Sequence, residues 1–337
     1  MRLGLIARAD NRGLGQQTWA VQRNLQPAKT MVVDCPSMQP LQLHLDRFPN
    51  AQVVSGLPTE DDYATFLDGL DVVYTAETGY GDLWSVAQRM GVKTVLHANY
   101  EFLDPRDQPT VWAAPSLWNF DRFPAGAIHL PVPIELDRFP TTEKPFTASR
   151  FLHVVGRPAI HDRNGTRDLL QALQLVTAPI TVTVTCQVPG YVAGLIYDHH
   201  IHTPDNVTLI IDSVDHDDYW TVYNNQHALI LPRRFGGLCL PANEAIGAGI
   251  PVIMPDIDPN NTWLPAAWLT PGMMSGDFHA KQHIKYYRSD IAALAATIDT
   301  LATDEDFYLH SLWKASELRK WFSWENLTPR YEEIFSA

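Results

Sequence analysis

Short apolar runs recur along the first half of the chain: RLGLIA (2–7), KTMVVD (29–34), AQVVS (51–55), DVVYT (71–75), KTVLHA (93–98) and TVWAA (110–114). Their apolar residues are continuous rather than alternating, the pattern of parallel strands covered on both faces. Stretches with helical spacing lie between them, such as QQTWAVQRNL (16–25) and DLWSVAQRM (82–90). This alternation predicts βαβ units. The second half repeats the rhythm, with strands at 151–156, 180–186, 207–211, 227–232 and 251–255 and helices at 165–176, 217–226 and 241–249. Between the halves, residues 130–150 hold four prolines and no clean period, and read as a linker. From Arg288 onward the pattern is helical. The last segment opens on an approximate capping box, Ser323 with Asn326 three residues on.

A chain of 337 residues accommodates two such domains. Ligands of open α/β sheets bind outside the carboxyl ends of the strands, so two domains of this class are expected to face each other across a cleft. Composition narrows the classes. Hydrophobic residues make up 45%, enough for large cores, and no apolar run approaches the roughly 18 residues of a membrane helix. The start, MRLGLIARADNRGLG, has no signal-peptide pattern. Cys35, Cys186 and Cys239 are odd in number and far apart, which fits a reducing, cytoplasmic compartment. The formal net charge of −13 argues against a dedicated nucleic-acid binder but leaves room for positive charge within a cleft.

The residues just after each strand are the candidates for chemistry. After the first strand, Gly13 and Gly15 sit at a strand-to-helix turn that can offer backbone N–H groups to an anion, near Arg8, Asp10 and Arg12. After the fifth, His97 ends an apolar run and Asn99 and Glu101 follow. After the first strand of the second half, Arg157 and Arg163 bracket a loop entering a helix near Gly165, a pairing suited to a diphosphate. Then comes RRFGGLCLPANEAIGAGIPVIMPD (233–256), in which Gly236 and Gly237 precede a helix carrying Glu244. Backbone at Gly236, Gly237, Leu238, Cys239 and Leu240 can approach a sugar and phosphate, and Glu244 can accept ribose hydroxyls. The histidines of YDHHIH (197–202) read as a solvated loop rather than a metal site. Trp118, Trp263 and Trp268 read mainly as packing residues, with sugar stacking as the alternative.

Taken in order, these segments resemble the retaining GT-B glycosyltransferases of the family that includes glycogen synthases and bacterial mannosyltransferases. GLG (13–15) is similar to its N-terminal glycine loop, KTVLHA to the strand ending in its active-site histidine, and IHLPVPIELDRFP to its linker motif. VVGRPAIHDRNG is similar to its phosphate loop, GGLCLPANEAIGAGIPVI to its E-G-F-G-L-P-x-x-E-A segment, and FSWENLTPRYEEIF to its closing F-S-W-E segment. There are departures. Gly236 stands where the family has a glutamate that helps hold the donor sugar, with Asp212 or Asp256 as conceivable substitutes. Arg163 stands in for the phosphate-loop lysine, and Val132-Pro133 replaces the linker's Asn-Gly.

The resemblance implies an α/β GT-B fold of two Rossmann-like domains. The first spans 1–140 and serves the acceptor, with a C-terminal helix of about 322–337 crossing back to it. The second spans 150–321 and binds the nucleotide sugar. The implied activity is metal-independent, retaining sugar transfer from a UDP- or GDP-linked donor to a hydroxyl, with no cofactor. In this reading His97, Arg157 and Arg163 are catalytic, residues Gly13, Gly15, Gly236–Leu240 and Glu244 bind the donor, and Arg8, Arg12, Asn99 and Glu101 face the acceptor. The compact form also resembles glycosyltransferases of tailed bacteriophages, which makes a hydroxymethylated pyrimidine in DNA one acceptor and a protein or small-molecule hydroxyl another. A nucleotide-sugar binding module without turnover is the alternative from a different class.

Overall fold

The computed structural model describes residues 1–34, 42–139, 143–214, 216 and 218–336; Cys35 and the first residue of the helix expected at 217–226 lie outside them. The chain divides into two compact units, Met1–Pro133 with Trp324–Ala337, and Ile134–Ser323.

The first unit is built from β1 (Leu3–Ala7), α1 (Gly13–Leu25), β2 (Lys29–Asp34), β3 (Gln52–Ser55), α2 (Glu60–Leu67), β4 (Val72–Ala76), α3 (Leu83–Met90), β5 (Lys93–His97), β6 (Val111–Ala114) and β7 (Ile128–His129). The strands form one sheet in the order β3-β2-β1-β4-β5-β6-β7, all pairs parallel. Both faces of this sheet are covered, which is why β1 and β4 are buried at every position.

The second unit contains β8 (Arg150–Gly156), α4 (Thr166–Leu173), β9 (Ile180–Cys186), α5 (Tyr191–Asp198), β10 (Val207–Asp212), β11 (Ala228–Ile230), α6 (Leu240–Gly247), β12 (Val252–Asp256), β13 (Leu269–His279), β14 (His283–Ser289), α7 (Ile291–Thr303) and α8 (Glu305–Trp321). Its sheet, β10-β9-β8-β11-β12-β13-β14, repeats the winding of the first, except that β14 returns antiparallel to β13. The final helix, α9 (Trp324–Ser336), belongs to the first unit, where Trp324, Tyr331 and Phe335 join Leu5, Tyr74 and Val95 in one core.

Three local expectations differ from the structure. The β13–β14 hairpin was not expected: Pro271, Gly272 and Gly276 interrupt its pattern, and Met273 and Met274 are exposed, so pairing rather than burial defines it. The helix expected at 217–226 is a short 3-10 turn, Tyr219–Tyr223. The YDHHIH segment is partly helical, with Tyr197 and Asp198 closing α5 and the exposed His199, His200 and His202 following. Among the described residues no group of three His, Cys, Asp or Glu side chains is placed to hold a metal.

The stretch read as a linker contributes to both cores. Leu130 packs in the first, and Ile134 and Phe139 in the second. A Cβ on Gly247 would lie 2.6 Å from Ile134 Cγ2 and 3.0 Å from Phe139 Cδ2, so this glycine of α6 admits the 134–139 segment. Arg319 of α8 fastens the same place, donating to the carbonyls of Gly247 (2.7 Å) and Phe139 (3.1 Å).

Candidate functional site

In each sheet the winding reverses between two adjacent strands, β1 and β4 in the first unit and β8 and β11 in the second. Loops leaving the carboxyl ends of such a pair diverge and leave a crevice for a ligand. Arg8, Arg12, Gly13, Gly15, Arg157, Arg163 and Gly236–Leu240 follow strands of these two pairs, Glu244 lies in the helix after β11, and His97, Asn99 and Glu101 lie one strand further out, at the end of β5.

In the second unit, the loop after β8 is stitched to the loop after β11. Gly165 has φ 71°, and a Cβ on it would lie 1.9 Å from the carbonyl oxygen of Pro232, so the two backbones touch there. The Arg234 N–H donates to the Arg163 carbonyl at 2.8 Å, and the Arg234 guanidinium donates to the carbonyls of His161 and Tyr287, each at 2.8 Å. This arrangement sets Arg163 against Gly236. A Cβ on Gly236, whose φ is 116°, would lie 2.4 Å from Nη2 of Arg163 and 2.5 Å from Nη2 of Arg233. The Arg163 guanidinium also stands over the Phe235 ring at 5.1 Å. Arg233 is buried and ties the loop down, donating from Nε to the Phe235 carbonyl and from Nη2 to the Leu238 carbonyl, both at 3.0 Å. Arg157 lies at the carboxyl end of β8 and is exposed. The structure thus sets Arg163 and Arg233 against the Gly236 loop. Two consecutive arginines directly after an apolar strand were the signal that could have found Arg233.

Helix α6 follows with Cys239 at its N-cap and Pro241 in its first turn. Glu244 is buried, and both carboxylate oxygens accept hydrogen bonds: Oε1 from the Tyr219 hydroxyl and Oε2 from the Tyr223 hydroxyl, each at 2.7 Å. Burial raises its pKa above the ordinary carboxyl value, while the two hydroxyls and the nearby Arg138 oppose the shift. Arg138 is itself buried, paired with Glu135 at 2.6 Å and set over the Trp220 ring at 4.6 Å. The tyrosine pair was not foreseen; its four-residue spacing from 219 to 223 places both hydroxyls on one carboxylate. A carboxylate has about four acceptor positions, so two hydrogen bonds leave capacity for a ligand. Asp212 accepts from the His216 ring (2.8 Å), and Asp256 from the Asn261 side chain (2.9 Å).

In the first unit, Gly13 opens α1, and Gly15 lies within its first turn rather than in a loop before it. A Cβ on Gly15 would lie 1.9 Å from the Asp10 carbonyl oxygen, so this glycine is required by the chain's own backbone. Arg8 is paired with Asp10 at 3.0 Å, and the Arg12 N–H donates to the same carboxylate at 2.9 Å. Asn99 donates from backbone and side chain to Glu77 Oε1, at 2.9 and 2.8 Å, and Glu101 is buried in a 3-10 turn. His97 is 1% exposed. Its Nδ1 accepts from the Tyr74 hydroxyl (2.7 Å) and from Gln17 Nε2 (3.0 Å), which places the ring proton on Nε2. That Nε2 has no partner of hydrogen-bonding geometry, although the Leu130 backbone lies near enough to oppose in part the effect of burial. Burial pushes the His97 pKa down to about 3, so the ring is neutral.

Of the tryptophans weighed for stacking, Trp118 is buried against Tyr100, and Trp268 is buried with its indole N–H on Ser311. Trp263 packs on Phe322 at 5.3 Å.

No family model matches the sequence, and no curated protein matches it. Solved structures match over its full length. HepE from Anabaena, in complex with UDP, superposes with a TM-score of 0.73 at 11% identity, covering 100% of both chains. The same protein in complex with UDP-glucose gives 0.70 at 12% identity, covering 100% of this chain and 99% of that one. Sucrose-phosphate synthase from Thermosynechococcus elongatus gives 0.65 at 16% identity, covering 100% and 98%. A glycosyltransferase from Rickettsia africae gives 0.65 at 13%, covering 99% and 97%. At these identities the likeness establishes architecture, and the two sheets with their repeated winding have the GT-B fold.

Proposed function

We propose that this protein is a glycosyltransferase that takes its sugar from a UDP-linked donor and passes it to a hydroxyl. The observation that carries the reading is the cationic loop pair of the second unit, where Arg163 and Arg233 flank Gly236 beside the start of α6. Support comes from the fold, shared with a protein solved in complex with UDP-glucose. In this reading Arg163, Arg157 and the backbone of Gly236–Leu240 hold the donor diphosphate. As the bond between anomeric carbon and phosphate oxygen breaks, negative charge grows on the departing diphosphate, and pre-placed guanidiniums stabilise it without reorganising. The acceptor hydroxyl forms the new bond on the face the diphosphate leaves, and its proton passes to a diphosphate oxygen, so configuration is retained. His97 enters as a neutral imidazole with its proton on Nε2. The acceptor is proposed only as a hydroxyl. For a DNA acceptor, the acceptor-facing Arg8 and Arg12 are the candidate phosphate contacts, and the ion pair of Arg8 with Asp10 favours a structural role for that residue instead.

The test is a radiolabel-transfer and hydrolysis screen with UDP-glucose, UDP-N-acetylglucosamine and GDP-mannose, in EDTA and then with Mg²⁺. UDP-sugar turnover in EDTA is the expected result. Tight UDP binding with no turnover of any donor supports the binding-module reading instead.

A further inference from the structure

The second unit contains a cavity of about 360 Å³ that none of the proposed donor residues lines. Its walls come from the loop before α4 (His161, Asp162), from α4 (Arg167), from α5 and the residue after it (Leu195, His199), from the loop after β11 (Arg234), and from the β13–β14 hairpin (Ser275, Tyr286). In a chain of net charge −13 the lining is cationic. Arg167 and Arg234 share the lining with one carboxylate, that of Asp162, whose oxygens already accept from the backbone N–H groups of Thr166 (3.0 Å) and Arg167 (2.9 Å). The other nearby carboxylate, Asp168, is fully buried and engaged by Arg288 (3.2 Å) and by the Ser289 N–H (3.2 Å). Arg234 is held rigidly by the carbonyls of His161 and Tyr287. Arg167 differs: its Nε is buried with no hydrogen-bond partner. A guanidinium nitrogen in that state costs free energy unless something accepts from it. The far wall is stiff, because the His161 ring stacks on Tyr286 at 4.7 Å and 12° and lies 4.8 Å from Phe278.

We infer that this cavity binds a small phosphomonoester, with Arg167 as its principal charged contact and with Arg234, His199 and the hydroxyls of Ser275 and Tyr286 around it. Two guanidiniums against one occupied carboxylate favour an anion, and a dianion gains more from them than a monoanion does. The volume lies at the low end of ligand pockets, about 300–1,000 Å³, which suits a phosphorylated polyol or monosaccharide rather than a nucleotide sugar. The inference stands apart from sugar transfer, since none of Arg157, Arg163 and Gly236–Leu240 lines the cavity, although Arg234 stands on the same loop as Gly236.

The test uses calorimetry on the full chain with inorganic phosphate and with glycerol 3-phosphate, each with and without saturating UDP. Both probes are expected to bind in the presence of UDP, with glycerol 3-phosphate tighter. Arg167→Gln should weaken both at least tenfold and leave UDP affinity unchanged. His199→Ala, at an exposed position that leaves folding intact, should weaken them by a smaller factor. If UDP displaces the probes, they are reading the donor site and the inference fails. It also fails if neither probe binds at millimolar concentration, or if a folded Arg167→Gln chain, checked by thermal melting, binds them as the parent does.

Discussion

Each unit presents a crowded glycine and a buried histidine near the point where its sheet reverses, Gly15 in the first turn of α1 and Gly236 in the loop before α6, and the two pairs are built differently. Gly15 of the first unit is crowded by the chain's own backbone, the Asp10 carbonyl; Gly236 of the second is crowded by the tips of two guanidiniums. A backbone atom cannot yield and binds nothing further, whereas a guanidinium can shift and can take an anion. The histidines divide the other way. His153 on β8 is fully used, with Nδ1 donating to the Ile230 carbonyl (2.8 Å) and Nε2 accepting from the Thr166 hydroxyl (3.0 Å). His97 has one nitrogen satisfied, and the other has only the Leu130 backbone near it, outside hydrogen-bonding geometry. A residue type at a strand end therefore marks a position worth inspecting, and what surrounds it decides whether it is occupied by the fold or left for a ligand.

The histidine contrast has the largest expected effect, and it is read in acid. His97 is neutral when folded, with a pKa near 3, against an ordinary value of 6.5. The unfolded chain takes up a proton below 6.5 and the folded chain does not, so stability falls as pH drops from 6.5 towards 3. At 1.36 kcal/mol per pKa unit the full loss from this group, reached near pH 3, is about 5 kcal/mol. His153, His129 and His227, each depressed to about 4 mainly by burial, add to it. Urea titrations between pH 7 and 4 should show a shallower acid limb in both His97→Gln and His153→Gln. Only His97→Gln should lower turnover of a UDP-sugar more than stability accounts for. Equal kinetic damage from the two would remove the distinction.

The glycine contrast comes next. Gly15→Ala drives a methyl into a backbone carbonyl and should cost about 3 kcal/mol or more, at the upper end of overpacking. Gly236→Ala displaces the tip of Arg163, disturbs the hydrogen bonds that Arg233 makes within its loop, and carries the cost of its positive φ, about 1–3 kcal/mol. Thermal melts should therefore rank Gly15→Ala as the less stable. UDP calorimetry on the folded fraction should rank Gly236→Ala as the weaker binder. Arg163→Ala should weaken UDP by about 1.5–3 kcal/mol, the range for hydrogen bonds to charged groups, with little change in melting temperature.

The sequence exposes the parts of this molecule that depend on continuous burial. Strands β1, β2, β4 and β5 carry continuous apolar runs because helices cover both faces of the sheet, β8 does so but for His153, and β9 alternates apolar residues with threonine; the bounds of all six are legible to within a residue or so. It hides the parts that depend on pairing or on distant partners. β13 and β14 hold each other by antiparallel hydrogen bonds with exposed methionines between, and no period reveals that. The Tyr219–Tyr223 turn looks helical until Glu244 is seen to hold its hydroxyls. At the site, Arg163 and Gly236 were legible from position after a strand. Arg233 was not, since its role is to hold two carbonyls of its own loop. Gly15 and Gly236 look alike in sequence, because glycine records a lack of room without saying what occupies it.

The smallest expected effect concerns Glu244, where the two kinds of role meet in one side chain. Its carboxylate is committed to Tyr219 and Tyr223, as a structural residue would be, yet it retains acceptor capacity for a ribose. The structural role is visible in pH. Its folded pKa is raised above 4.5, chiefly by burial, so its contribution favours the folded state below the unfolded value and is lost as pH rises through the folded one. Glu244→Gln should flatten that limb of the stability profile. The ribose role is visible only in ligand choice. If Glu244 accepts from the 2′-hydroxyl, the parent should bind UDP better than 2′-deoxy-UDP by about 1 kcal/mol, the net value of one hydrogen bond. Glu244→Gln should reduce that preference, because the amide offers one acceptor oxygen in place of two. A double-mutant cycle over protein and ligand isolates the coupling from any general loss of affinity. A preference that is absent in the parent, or unchanged in the variant, would leave Glu244 as the anchor of its two tyrosines, and the donor contacts of the second unit would then rest on Arg163 and the Gly236 loop.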